Sequence, residues 1–353
     1  MKTLDLYIAR YVLGCAAMAL LVLFGLDVLF AFLDELDDLG SGYTIGKIAL
    51  YLLYSSPASL YEMLPVSALM GALIGLGLLA ANSELTIMRA AGLSLTQLAR
   101  SLMYPTLLIM ILVLAVGEWL VPYALPKAES IRAVALGKQD KYASQYGVWH
   151  REGNAFMYFN AVDSEGVIHG LTEYDFDEDM TLKQTRVADE AVYQNGQWQL
   201  TNVQQVSLGE KQTQREVAAT ATWQTELTPN LLRLVVLDPL YLSVQGLWKY
   251  GSYLKEQGLD SSNYWLAFWQ KVLQPLSIFG LVLIGMSFVF GPLRSVSMGQ
   301  RVVSGLIVGV VFRLSQQLLG PVVTLSGVSP LLAVLIPIGI CIGVGLLLLR
   351  KVR

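Results

Sequence analysis

The chain has 353 residues, of which 54% are hydrophobic and only 14% charged, with a mean hydropathy of +0.53. Soluble domains carry roughly 25% charged residues, so much of this chain faces something other than water. A net charge of -3 and a pI near 5.5 argue against a nucleic-acid partner, which calls for a basic face.

A helix crossing the hydrocarbon core needs about 20 largely apolar residues. Six stretches qualify: 11–33, 60–81, 101–121, 268–290, 302–323 and 330–349. The first is too long for a secretory leader and ends in Asp34-Glu35 with no small-residue cleavage site, so it reads as an uncleaved span. Residues 44–59 are also apolar, and joined to 60–81 they exceed one crossing. Pro57 and Pro65 therefore predict an interfacial helix that bends at Pro57 into the second span. Next, Asn82-Ser83-Glu84 reads as a helix start and Gly92 as its stop. The short helix between them, near 83–92, carries apolar Leu85, Ile87, Met88 and Ala91, with Glu84 and Arg89 expected to be exposed. It is a natural docking peg; an ordinary interhelical loop is the plainer alternative.

The third span closes a first helical unit, 1–134, with Lys127 and Arg132 just beyond its end. Between about 135 and 228 the apolar pattern changes to period two. Val217, Ala219, Ala221 and Trp223 alternate with Ala218, Thr220 and Thr222, and 155–159 and 167–176 also read as strands. Turn signals at Asp163-Ser164-Glu165-Gly166 and Asn195-Gly196 separate them, the latter supplying the positive φ angles of a tight hairpin. An antiparallel sandwich or jelly roll follows. Residues 229–263 form a return segment with an amphipathic stretch at 247–254, and 264–353 holds the last three spans. The expected fold is thus a six-span α-helical membrane protein with an inserted all-β, jelly-roll-like domain.

Lys and Arg set the orientation. They cluster at Lys2 and Arg10, at Arg89 and Arg100, at Arg294 and Arg301, and at Arg350, Lys351 and Arg353, which are alternate loops. By the positive-inside rule both termini are cytoplasmic and the β-domain lies outside. Catalytic signatures are missing: no P-loop, no HExxH and no GxSxG. His150 and His169 stand alone in strands, and Cys15 and Cys341 in apolar runs, so no metal or disulfide framework is indicated. Charges in or near spans, each costing ~2.5–3.5 kcal/mol at the bilayer centre, mark candidate sites. These are Asp27, Glu62, Glu118, Lys271 and Arg313. Glu118 and Lys271, near span ends, read equally well as snorkelling or intrahelical pairs. Asp27 and Arg313 are deeper and are able to pair, face a polar cavity or bind an anionic lipid. Gly71 with Gly75, and Gly305 with Gly309, allow close helix contact.

Several motifs carry a family resemblance. PVSALMGALIGLGLLAANSELTIMRAAG at 65–92, Gly117-Glu118-Trp119, Trp269-Gln270-Lys271 with Gln274-Pro275-Leu276, Phe290-Gly291-Pro292-Leu293-Arg294, and 299–305 occur in order. Together they resemble the LptF/LptG permeases (the YjgP/YjgQ-like family) of the lipopolysaccharide-export ABC transporter, nearer the LptG branch. That resemblance implies a non-catalytic permease in the bacterial inner membrane, paired with an LptF-like paralogue. Two copies of an LptB-like ATPase would bind ATP and Mg, leaving this chain with no cofactor of its own. A one-span LptC-like protein and an LptA-like periplasmic bridge would complete the path for lipopolysaccharide.

The same resemblance makes 83–92 a coupling helix, with Glu84, Leu85, Met88, Arg89 and Gly92 as its ATPase-facing residues. Basic groups toward the outer end of the cavity would hold lipid phosphates: Lys127, Arg132, Arg313 and Lys271 are the candidates. Where some relatives carry lysines, this chain has Ala31 and the acidic run 34–38, which could bridge to phosphate through divalent cations. Two other readings stay open: an intramembrane lipid-modifying enzyme, and a membrane anchor displaying the β-domain.

Overall fold

A computed structural model describes residues 2–40, 42–137, 148–162, 166–209, 212–229, 231–232, 238–291 and 296–351. Arg294, Arg353 and the Asp163-Ser164-Glu165 turn lie outside the described residues. The membrane helices before the sheet are α1 (Lys2–Leu36), α2 (Ile45–Ala81), the short α3 (Glu84–Ala90), α4 (Leu95–Ala115) and α5 (Val121–Gly137). A π-helical turn, Val116–Leu120, joins α4 to α5, so the third span runs on well past residue 121. After the sheet come a 3-10 turn (Pro239–Tyr241), α6 (Val244–Glu256), α7 (Ser262–Val272), α8 (Gln274–Phe290), α9 (Met298–Ser326) and α10 (Pro330–Lys351).

Two spans depart from expectation. Residues 45–81 form one unbroken helix of 37 residues through Pro57 and Pro65, with no separate interfacial helix. Proline removes one backbone donor, but the neighbouring turn gains bonds from Ser55 and Ser56 hydroxyls to Leu52 O (3.2 and 2.6 Å). At a rise of about 1.5 Å per residue, such a helix outreaches a hydrocarbon core of about 30 Å. The fourth span, by contrast, is broken: α7 and α8 meet at 55° around Leu273, and Pro275 in the first turn of α8 explains the stop.

Helix α2 is the hub. Leu69, Leu73, Leu76 and Leu79 are fully or almost fully buried, and α1, α8 and α9 all pack on it. Small residues make this possible. A Cβ on Gly71 would lie 2.5 Å from the Ala16 Cβ and 2.8 Å from Val12 O, and one on Gly305 would lie 2.5 Å from Leu73. Backbones approach where there is no side chain to separate them. The buried Arg301 of α9 donates to Gly77 O near the C-terminal end of α2 (2.8 Å), where cations complement the helix dipole. Outward faces of α1 and α9 carry Met18, Leu21, Phe30, Ile307, Val311 and Leu318, all exposed, as lipid or another apolar surface requires.

The inserted domain is a six-stranded antiparallel sheet in meander order: β1 (Val148–Glu152), β2 (Ala155–Val162), β3 (Ile168–Phe176), β4 (Leu182–Gln194), β5 (Gln197–Leu208) and β6 (Thr213–Trp223). Consecutive strands pair throughout, with no Greek-key crossover among the described residues. Asn195 and Gly196 form the β4–β5 turn with positive φ angles of 51° and 83°, as their sequence demanded. The core gathers Phe159, Ile168, Leu171, Leu200, Trp198 and Trp223 around the following segment, where Leu227 O accepts from Trp198 Nε1 at 2.6 Å. Buried Glu173 receives Arg186 at 2.7 Å and Trp223 Nε1 at 3.0 Å. The alternation in β6 is not realised as inside and outside: residues 213–220 are exposed on both faces, because β6 is an edge strand that outruns the core.

His150 in β1 is 5% exposed, and its Nε2 meets no partner among the described residues. Burial holds its pKa below the ordinary 6.5, while Glu152 opposes the shift weakly. A lowered native pKa means full stability above about 6.5, lost as pH falls through that value toward the native one. Urea unfolding followed by tryptophan fluorescence should therefore show a weaker sheet at mildly acidic pH, and His150→Phe should flatten that slope.

Candidate functional site

The Gly117-Glu118-Trp119 turn organises a polar knot between helices. A π-turn lengthens its hydrogen-bond register by one residue and loosens a carbonyl. Here Gly117 O accepts from Lys271 Nζ at 2.6 Å, and the same ammonium donates to Leu242 O at 2.5 Å. Glu118 reaches across to the N-terminal end of α6, accepting from Val244 N at 2.9 Å. Gly117 is required because the Tyr61 ring of α2 fills the adjoining space; a Cβ would lie 2.4 Å from it. Trp119 points outward, 74% exposed, as a membrane-interface aromatic would. Lys271 is only 4% exposed. It does not snorkel: both of its hydrogen bonds are to backbone carbonyls, at the wall of an adjoining cavity.

A cavity of about 370 Å³ adjoins this knot, lined by Gln270, Gln274, Gln316, Arg313, Glu62 and Tyr241 among others. Glu62 accepts from both Arg313 and Tyr241, joining α2 to α9 and to the return segment. Burial first, then the charge of Glu62, push the Tyr241 hydroxyl well above its ordinary range, which keeps it a donor. Arg313 is thus partnered by Glu62. Asp27 instead lines a second cavity of about 530 Å³ with Asp34, Glu35, Glu129 and Asp238, to which Glu62 and Tyr241 also contribute.

Arg132 of α5 is held by acids. Its Nε lies 3.2 Å from Glu35 and its Nη2 3.1 Å from Asp38, with the guanidinium 5.6 Å from the Tyr51 ring centroid. Tyr43 donates to Glu35 at 2.8 Å; burial and then that carboxylate raise its pKa. The cluster pins the loop between α1 and α2 to α5. Lys127 instead lies over the Tyr123 ring, 4.1 Å from its centroid, and donates to that hydroxyl at 2.8 Å. Of the four basic candidates, Arg132 and Arg313 meet carboxylates, Lys271 meets carbonyls and Lys127 a tyrosine hydroxyl; the sequence marked Glu62 and the 34–38 run as acidic but not which base each would meet.

At the opposite end of the bundle from the sheet, α3 lies between α2 and α4. Leu85 is buried in the helical core, and Met88, half-buried, packs against it. Glu84 is half-buried and accepts from Tyr7 of α1 at 2.7 Å, which corrects its expected free exposure. Arg89 and Gly92 are exposed, and Gly92 has the positive φ of 95° that ends the helix. Ile87 is 66% exposed and carries the outward apolar surface. Tyr7 had no sequence signal, since its partner stands 77 residues away.

A bundle of apolar spans, one of them broken, with polar cavities between helices and an inserted sheet, defines a polytopic membrane protein. The family described as lipopolysaccharide export system permease LptF/LptG matches residues 6–351, and the chain belongs to it. It is 37% identical over 338 residues to the lipopolysaccharide export system permease protein LptG of Escherichia coli K12, covering 95% of this chain and 94% of that one. To the LptG protein of Haemophilus influenzae it is 33% identical over 339 residues, covering 95% of each.

Lys271→Met leaves two buried carbonyls without their donor, each worth about 1–3 kcal/mol. The melting temperature of the detergent-solubilised protein should fall markedly, whereas Lys127→Met should leave it nearly unchanged.

Proposed function

We propose that this chain is the permease subunit of an ATP-driven exporter that draws lipopolysaccharide from the outer leaflet of the inner membrane. ATP and Mg bind to a dimeric LptB-like partner; this chain contributes no catalytic group. Its termini face the cytoplasm and its sheet the periplasm, as the distribution of Lys and Arg argues. An LptF-like paralogue covers the apolar faces of α1 and α9, and an LptC-like single span joins them. The lipid passes along the sheet domain to an LptA-like bridge.

One observation carries this reading. A seven-residue helix at the end of the bundle away from the sheet is rooted by Leu85, tethered to α1 through Tyr7 and Glu84, and presents Ile87 and Arg89 outward. A rigid, half-embedded peg is what an ATPase needs in order to move spans. Phosphates of the lipid are met by Arg313 and Arg132, each exchanging a carboxylate for a phosphate of similar geometry, with Lys127 nearby. Such exchange makes binding weaker than to free cations and releasable.

Hot-spot side chains at interfaces cost about 2 kcal/mol or more on truncation, and a charge in place of an apolar anchor costs at least as much. Ile87→Asp and Glu84→Arg should each weaken ATPase co-purification about tenfold or more. They should also abolish ATP-dependent lipopolysaccharide release from proteoliposomes. Unchanged assembly and release in both variants would overturn the proposal.

A further inference from the structure

We propose that the groove between α4, α8 and α10 is a binding site for an anionic phospholipid, seated headgroup-first against Arg100 and Arg350. The groove encloses about 550 Å³. Helix α8 packs against both α4 and α10 and forms its floor. Its walls are apolar, with Met103, Phe279, Leu283, Met286, Leu346 and Leu349 among them. At one end stand the two arginines: Arg100 in the second turn of α4 and Arg350 in the last turn of α10. Both belong to the end of the bundle away from the sheet, because α4 runs from Leu95 toward α5 and the sheet that follows.

Charge selects the ligand. No acidic residue lines the groove, and neither guanidinium has a hydrogen-bond or ion-pair partner among the described residues. This sets the pair apart from Arg132, Arg186 and Arg313, each of which has a carboxylate beside it. Two guanidiniums without an acidic neighbour among the described residues, at the end of an apolar channel, match a phosphate with acyl chains below it. Thr96 at the same mouth adds a hydroxyl. The lipid meant here is a resident of the inner leaflet, distinct from transported cargo on the sheet side; only its leaflet rests on the orientation given above. Once bound, it would staple the first turns of α4, which directly follow α3, to the end of α10.

Native mass spectrometry of the intact protein with its co-purifying partners tests this, after incubation with phosphatidylglycerol or phosphatidylcholine of matched acyl chains. The native chain should retain phosphatidylglycerol preferentially. R100Q/R350Q should lower that retention about tenfold or more, since both charge-assisted hydrogen-bond donors to the phosphate are lost. Met103→Trp, which fills the groove and keeps both charges, should lower it too. Equal retention of the two lipids, unchanged retention in both variants, or equally tight binding of chain-free glycerophosphate would overturn the proposal. So would loss of a co-purifying protein with lipid retention intact, which would mark the groove as a protein interface. Because the readout is bound lipid, failure of the transport reading would leave a positive result standing.

Discussion

Inside hydrocarbon, a backbone carbonyl that loses its helical donor finds no water to replace it, and each such group costs several kcal/mol. Among the described residues, regular helix is broken at the π-turn of the third span and at Leu273 in the fourth. Lys271 answers the first. It sits at the end of α7, beside the break, and gives its protons to the carbonyl of the π-turn and to that of Leu242 just before α6. With Glu118 on Val244 N, three chain segments distant in sequence share one hydrogen-bonded junction. Helix α2 closes it by laying Tyr61 against Gly117.

How much of this was legible in the sequence depends on the range of each interaction. Apolar runs, Lys and Arg placement and Asn195-Gly196 report local requirements, and the spans, the sheet and its hairpin appear where those signals stand. Pro57 and Pro275 show the limit of local reasoning. Both remove a donor, yet Pro57 sits inside a continuous α2 while Pro275 opens a new helix, and only the surrounding packing separates the two outcomes. Edge strand β6 shows another: its alternation is real, but none of the described residues covers either face along 213–220.

The candidate site was legible in type and not in partnership. Charges within spans were flagged correctly as costly, and every one with a described partner has an opposite charge or a polar backbone group beside it. Which partner each takes was not readable, because Glu62 with Arg313 and Glu35 with Arg132 join residues 251 and 97 positions apart. The outcome is a cavity whose Arg313 is compensated by Glu62, and a groove at the other end whose two arginines have no acidic partner among the described residues. Electrostatic asymmetry of this kind sorts anionic lipids by leaflet without any difference in shape.

The junction at Lys271 has a mechanical meaning as well. The return segment leaving the sheet is bonded to the third span and to the fourth within one side chain's reach, close to where the 55° bend gives the fourth span its elbow. An elbow held on one side by a crosslink transmits torque; an elbow left free absorbs it. The crosslink therefore ties α7 to the π-turn that leads into α5, and the bend at Leu273 lies between that junction and α8, whose Phe279, Leu283 and Met286 line the arginine-bordered groove.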